Sequence, residues 1–462
     1  MTGPAARAGS WRQLFGREFL GATTVLAGGV AIYAINEFIT MSLLPSAVDD
    51  IAGARLYAWV TTVYLVASVV AATTVGPLLN RFGPRHSYLG ALLGFAAGTA
   101  VCMLAPSMPV LLSGRLVQGL AGGVLAGLGY AVISSALPEE LWTRAAAVVS
   151  AMWGVGTLVG PAVGGLFAQF GWWRGGFAFL AALAVLTSAL VPFALPARGT
   201  DPALRTGIPV VSLTILGLAA LAVSVAAIPR NPVLTVALLI AGAALVVGFV
   251  AADRGAGIRV LPRTAFKPGP VKWIYLTMGF LMAATMVDMY VPLFGQRLAS
   301  LTPAAAGFLG AALSVGWTVG EIRSAAISDR TVAVRAVAWA PLVMAAGLAL
   351  AAAVQGDGGG PGVVAVWAVG LAISGIGIGI AWPHLCVWAM GAVDDPAEKA
   401  VAAAAISTVQ LMCGAFGAGL AGVVVNLRET PDAAVARWLF ALFAVLAATA
   451  SLAASRAARP PE

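Results

Sequence analysis

Of the 462 residues, 60% are hydrophobic and 10% charged, with a mean hydropathy of +0.96; soluble domains carry about 25% charged residues, so an ordinary water-solvated globule is excluded and a polytopic membrane protein is implied. The net charge of +8 is spread over the connections between apolar runs, which reads as membrane topology and calls for no nucleic-acid partner. The three cysteines, Cys102, Cys386 and Cys413, fall in or beside apolar runs, so they read as packing residues, and neither a disulfide framework nor a metal site nor any other cofactor is expected.

The stretch before Phe19 carries Arg7, Arg12 and Arg17, and no small-residue cleavage site follows the first hydrophobic run, so the first span reads as an uncleaved helix. Windows of about 20 apolar residues place fourteen spans at roughly 20–44, 57–79, 87–105, 109–136, 145–169, 176–195, 207–228, 232–252, 273–293, 303–324, 336–354, 362–385, 400–425 and 434–455. With the N-terminus inside, most of the 26 basic residues fall on inner connections, which puts both termini in the cytoplasm. Arg-rich, Lys-poor, Ala/Gly-rich usage points to a GC-rich bacterial genome, so the expected location is a bacterial inner membrane. The longest connection, DRGAGIRVLPRTAFKPGPVK, is still too short for a soluble domain.

On the first span Glu37 is the only charge in LGATTVLAGGVAIYAINEFITMSLL. Tyr33, Asn36, Glu37 and Thr40 fall at i, i+3, i+4 and i+7, a polar stripe that should face a cavity. A carboxylate at such depth costs a few kcal/mol (about 3) on insertion scales, so it reads as functional. Burial disfavours its charged form and a nearby arginine favours it, so alternation between the two would let it take up and release protons. The inner connection GPLLNRFGPRH (76–86) holds Asn80, Arg81, Gly83 and Arg85 at a turn that forces two helices together. Arg115, in RLVQGLAGG, lies roughly 9 Å below the outer end of the fourth span, level with Glu37. Their pairing would serve either coupling or helix packing.

GTLVGPAVGG on the fifth span sets Gly156, Gly160 and Gly164 on one face, with Gly165 beside them, so that another helix can approach closely, while Pro161 bends the span. The pair of spans closed by PRNP (229–232) is featureless and reads as a lipid-facing insert. The ninth span carries Asp288 near its outer end and a methionine stripe, Met278, Met282, Met286 and Met289, with Thr285 beside it; such a stripe suits either core packing or an adaptable cavity wall. Glu321 on the tenth span shares a face with Ser314, Trp317 and Thr318 near the inner end, where pairing with Arg323 or Arg330 is expected. AAISDRTVAVR (325–335) repeats the earlier turn with Asp329 and Arg330, which suggests two repeated halves. Trp382 and Gln410 are further cavity candidates. Two histidines near the inner boundary and no paired buried carboxylates on one helix argue against an enzyme.

The turn at 76–86 resembles the major facilitator pattern G-x-L-x-D-R-x-G-x-R through Gly76, Leu78, Arg81, Gly83 and Arg85, with Asn80 in place of the aspartate. RLVQGLAGG is similar to the superfamily's R-x-x-Q-G element, and GTLVGPAVGG matches the antiporter pattern G-x-x-x-G-P-x-x-G-G at every fixed position. The chain as a whole resembles the fourteen-helix drug/proton antiporter branch. This implies an all-α major facilitator fold of two six-helix halves, 1–195 and 253–462, around an inserted two-helix hairpin, 196–252. It also implies proton-driven export of hydrophobic or cationic small molecules by a monomer in the lipid bilayer, with Glu37 and Asp288 flanking one route by pseudo-symmetry. A lipid, siderophore or metabolite as cargo, or a non-transporting sensor, are the alternatives.

Overall fold

The computed structural model describes residues 10–457 apart from 198–206, 230, 326, 328, 357, 394–395 and 428–432, and describes the backbone alone at 80, 134, 139, 143, 146–147, 150, 325, 396–397 and 399–400. Among the described residues every regular element is helical. Thirteen helices among the described residues are long and apolar enough to cross a bilayer, and the shorter apolar helix Val210–Val225 occupies the remaining expected stretch.

The chain divides into two compact units, one of residues up to Leu43 with Ala67–Ile208, the other of Leu44–Val66 with Pro209 onward. The first contains α1 (Trp11–Leu14), most of α2 (Leu20–Ile51), the end of α3 (Tyr57–Ala72), α4 (Val75–Met103), α5 (Met108–Ala131), α6 (Ile133–Ala136), α7 (Trp142–Gln169) and α8 (Trp173–Ala194). α2 is enclosed on nearly all sides although it carries a polar stripe. From Gly29 to Pro45 every residue except Glu37 is buried. α4 and α5 approach through Gly98 and Gly114, where a Cβ on Gly98 would lie 2.6 Å from the Gln118 nitrogen.

The 76–86 segment differs from the expected loop. α3 stops at Ala72, where the Thr73 and Thr74 hydroxyls donate back to the carbonyls of Val70 (2.7 Å) and Ala71 (2.6 Å), competing with the helix ladder. The chain is helical again from Val75, and the break falls on Gly83 alone, at φ 73° and ψ 172°, where a side chain would be strained. Pro84 starts the next segment, and Arg85 fastens it to the end of α8 by donating from Nε to the Leu195 carbonyl (3.0 Å) and from its backbone N–H to Pro196 (3.3 Å). At the opposite end Arg174 donates to the Ala105 carbonyl (2.9 Å) and lies 4.2 Å over the Trp173 ring.

The second unit contains α9 (Val210–Val225), α10 (Pro232–Gly255), α11 (Val271–Thr285), α12 (Val291–Leu298), α13 (Pro303–Ala325), α14 (Arg330–Ala353), α15 (Pro361–Gly391), α16 (Pro396–Val425) and α17 (Ala433–Ala457), together with the C-terminal end of α2 and the first part of α3. α15 meets its neighbours at backbone distance on two flanks. A Cβ on Gly375 would lie 2.6 Å from the Trp317 nitrogen of α13, and one on Gly377 2.8 Å from the Ala340 carbonyl oxygen of α14.

The hairpin of α9 and α10 corrects the reading of a featureless, lipid-facing pair for its first helix. α9 buries Ser212, Leu213, Leu216, Ala219, Ala220 and Ser224. The Ser224 carbonyl accepts from Trp59 Nε1 (3.0 Å), its hydroxyl donates to Thr62 Oγ1 (3.0 Å), and Asn426 Nδ2 donates to Ala227 (3.0 Å). α10 is the exposed member and buries only Gly242, Phe249 and Asp253. The sequence reading weighed charge and overlooked these polar groups, although a buried hydroxyl or indole N–H in an apolar environment needs a partner and therefore fixes a docking face.

Candidate functional site

In the first unit the polar stripe of α2 meets the fourth span as a hydrogen-bond network. Arg115 is buried and donates from Nη1 to Asn36 Oδ1 (3.2 Å), Thr40 Oγ1 (3.4 Å) and Gln118 Oε1 (2.9 Å). Gln118 Nε2 donates in turn to Asn36 Oδ1 (3.3 Å) and Thr99 Oγ1 (2.7 Å), and the Cys102 thiol donates to Gln118 Oε1 (3.4 Å). Two helices, α2 and α5, thus supply three acceptors to one guanidinium, and α4 joins the network through Gln118, which is how a buried cation is kept in apolar surroundings. Its charge also acts on Glu37. The structure therefore brings Arg115 together with Asn36 and Thr40, the stripe residues on either side of Glu37. Tyr33, one turn earlier, is buried with its ring edge-on to Trp153 at 5.7 Å.

The glycine face of α7 lies against the same stretch of α2. A Cβ on Gly156 would sit 2.7 Å from that of Ala34, one on Gly160 would collide with Phe38, and one on Gly164 would come within 2.8 Å of the Ile39 carbonyl oxygen. Glu37 lies between the first two of these contacts. Pro161 and Gly165 are buried in the same helix, and the missing N–H of Pro161 leaves the Thr157 carbonyl without its usual helical donor.

In the second unit the ninth span is discontinuous. α11 ends at Thr285, residues Met286–Tyr290 form a 3₁₀ turn, and α12 begins at Val291, so Asp288 occupies the middle of the break. Pro292 stands four residues after Asp288 and cannot donate to its carbonyl, which removes one rung of an α-helix. Thr285 Oγ1 donates to the Met282 carbonyl (2.7 Å), and the Met289 carbonyl accepts from Tyr57 Oη (3.1 Å). The Tyr57 and Tyr290 rings stack at 4.7 Å. Met282, Thr285, Asp288 and Met289 are all buried. The break also divides the methionine stripe, because α-helical spacing ends at Met286; Met282 and Met286 both lie near Gly414 of α16.

Among the described residues no ion pair joins Glu321 to Arg323 or Arg330, so the expected pairing is corrected. Trp317 is edge-on to Trp382 at 5.4 Å, and Gln410 is half-buried on α16. Asp329 caps α14 by accepting from the N–H groups of Thr331 (2.7 Å) and Val332 (3.3 Å), while Arg330 is exposed. Arg81 lies 5.3 Å over the Phe82 ring, and the Asn80 side chain is outside the described residues.

The sequence profile of the Major Facilitator Superfamily matches residues 26–421. The chain belongs to the Major Facilitator Superfamily. A Mycobacterium tuberculosis protein named as a probable multidrug-efflux transporter is 58% identical over 463 residues, covering 99% of this chain and 98% of that one. The Bacillus subtilis multidrug transporter protein MdtP is 23% identical over 405 residues, covering 86% of this chain and 73% of the relative. Among solved structures, a POT family transporter in complex with 5-aminolevulinic acid superposes with a TM-score of 0.67 at 13% identity, covering 93% of this chain and 94% of that one. A nucleoside transporter, NupG, gives 0.65 at 12%, covering 93% and 98%. These two similarities establish the fold alone. This major facilitator protein is a multi-pass membrane transporter and not an enzyme.

Three groups in this transporter escaped the sequence reading. The R-x-x-Q-G element contains Gln118 without indicating its partners, no motif marks Thr99, and Pro292 alone signals the break at Asp288.

Proposed function

We propose that this transporter exports hydrophobic or cationic drug-like small molecules across the bacterial inner membrane in exchange for protons, by alternating access, as a monomer with both termini in the cytoplasm. In this reading residues 1–195 and 253–462 are the two six-helix halves and 196–252 is the inserted hairpin. The observation that carries it is the accessibility of Glu37 within a fully buried run of α2, beside a buried guanidinium and between two glycine contacts of α7. A carboxylate in that position is charged when water and Arg115 act on it, and neutral when a shift of α2 against α7 closes it off. Substrate and proton then favour different arrangements, and that difference in binding free energy is what permits coupling. Asp288, at a helix break in the second unit, is the second proton carrier, and Glu321 ranks behind it. The name of the 58% identical relative, a probable multidrug-efflux transporter, supports export and a drug-like cargo.

The test is flux in proteoliposomes under an imposed pH gradient. Glu37→Gln is expected to insert and fold normally but to lose proton-driven drug movement. Wild-type rates in that variant would refute the coupling assignment.

A further inference from the structure

The connection between α10 and α11 is held in a fixed shape by two carboxylates. Asp253 is fully buried and accepts from the backbone N–H groups of Val260 (2.8 Å) and Leu261 (3.0 Å), and Glu398 of α16 accepts from Thr264 N–H (3.0 Å). With those acids engaged by the backbone, the basic side chains around them are left to face outward. Arg254, Arg263, Lys267, Lys272 and Arg456 are exposed, and among the described residues none has an ion-pair partner. Arg456, at the end of α17, lies 4.5 Å over the Trp273 ring, and Lys272 lies 5.3 Å from the same ring. One indole at the start of α11 therefore gathers cations from two helices.

Apolar surface continues directly from these charges along both helices. Leu276 is four residues after Lys272 on α11 and 46% exposed, and Leu452 is four residues before Arg456 on α17 and 69% exposed. Ile258, on the connection itself, is 50% exposed. We infer that the α10–α11 connection and the adjoining ends of α11 and α17 form a seat for an anionic phospholipid, with the phosphate held by Lys272, Arg456 and Arg263 and an acyl chain lying along Leu276 and Leu452. Cations at the boundary with apolar side chains immediately behind them match a headgroup and its chain, whereas a free phosphate would make no use of the leucines.

The test uses the full-length protein in nanodiscs of phosphatidylethanolamine with and without phosphatidylglycerol, with retained lipid counted by native mass spectrometry. Phosphatidylglycerol should be retained over phosphatidylethanolamine on the order of tenfold. Arg263→Gln/Lys272→Gln/Arg456→Gln should bring retention to parity, and Lys272→Gln alone should lower it part-way, while Arg335→Gln, at an exposed basic residue on α14, should not change it. Leu276→Ser/Leu452→Ser should also weaken retention. Undiminished selectivity in the triple variant, or displacement of the lipid by inorganic phosphate, would overturn the assignment.

Discussion

Gly160 of α7 faces Phe38 of α2 so closely that a methyl group at 160 would overlap the Phe38 Cβ, with the Ile39 nitrogen only 3.0 Å away. Phe38 directly follows Glu37, so the small-residue face of α7 sets the position of the helix that carries the acid. Overpacking of this kind costs about 1–3 kcal/mol. Gly160→Ala should lower the thermal midpoint of the purified protein and depress transport, while Gly154→Ala, on the same helix with nothing within 4 Å, should do neither.

Arg115 is bound by three neutral side chains. Arg115→Ala would remove one donor from each of three buried oxygens, of which Asn36 Oδ1 keeps Gln118 Nε2 and Gln118 Oε1 keeps the Cys102 thiol; at about 1–3 kcal/mol for an oxygen left unmet, it should destabilise the protein whatever its effect on flux. Arg115→Lys keeps the charge but cannot reach all three acceptors with planar geometry. It should therefore fold better than the alanine variant and still transport more slowly than wild type, as measured by thermal unfolding and by efflux from the same preparations.

Pro292→Ala would restore a donor four residues after Asp288 and favour a continuous helix through 286–290. Slower hydrogen exchange across that turn, accompanied by a lower transport rate, is the expected pair of results. Unchanged exchange would mean that the break is imposed by packing around Tyr57 and Tyr290 rather than by the proline.

Asp253→Ala should release the segment 256–266, since the Val260 and Leu261 N–H groups lose their acceptor. Hydrogen exchange there should speed up by one to two orders of magnitude, consistent with about 1–3 kcal/mol for a buried donor left unmet. Asp253→Asn keeps one acceptor and should fall between alanine and wild type.

Hydropathy located an apolar helix in every expected stretch because lipid imposes a length on each one. Helical spacing likewise grouped Asn36 and Thr40, which the structure joins on Arg115. The partner of the α7 glycine face was not legible, since spacing shows that a helix can approach but not which one does. The interruption at Asp288 was hidden for a different reason. Apolar windows register side chains and are blind to a lost backbone hydrogen bond, so Met286–Tyr290 looked like five more residues of helix. The docking of α9 was missed because Ser224 carries no charge, and its hydroxyl and carbonyl become informative only when Thr62 and Trp59 are seen beside them.

The glycine contacts of α15 leave no cushion of side chains between it and either α13 or α14. Flexible side chains let neighbouring helices slide by changing rotamers, whereas backbones in direct contact must travel together. These three helices should therefore behave as a single plank, and any rearrangement within the second unit must be absorbed where the ladder of hydrogen bonds is already interrupted, at the turn around Asp288.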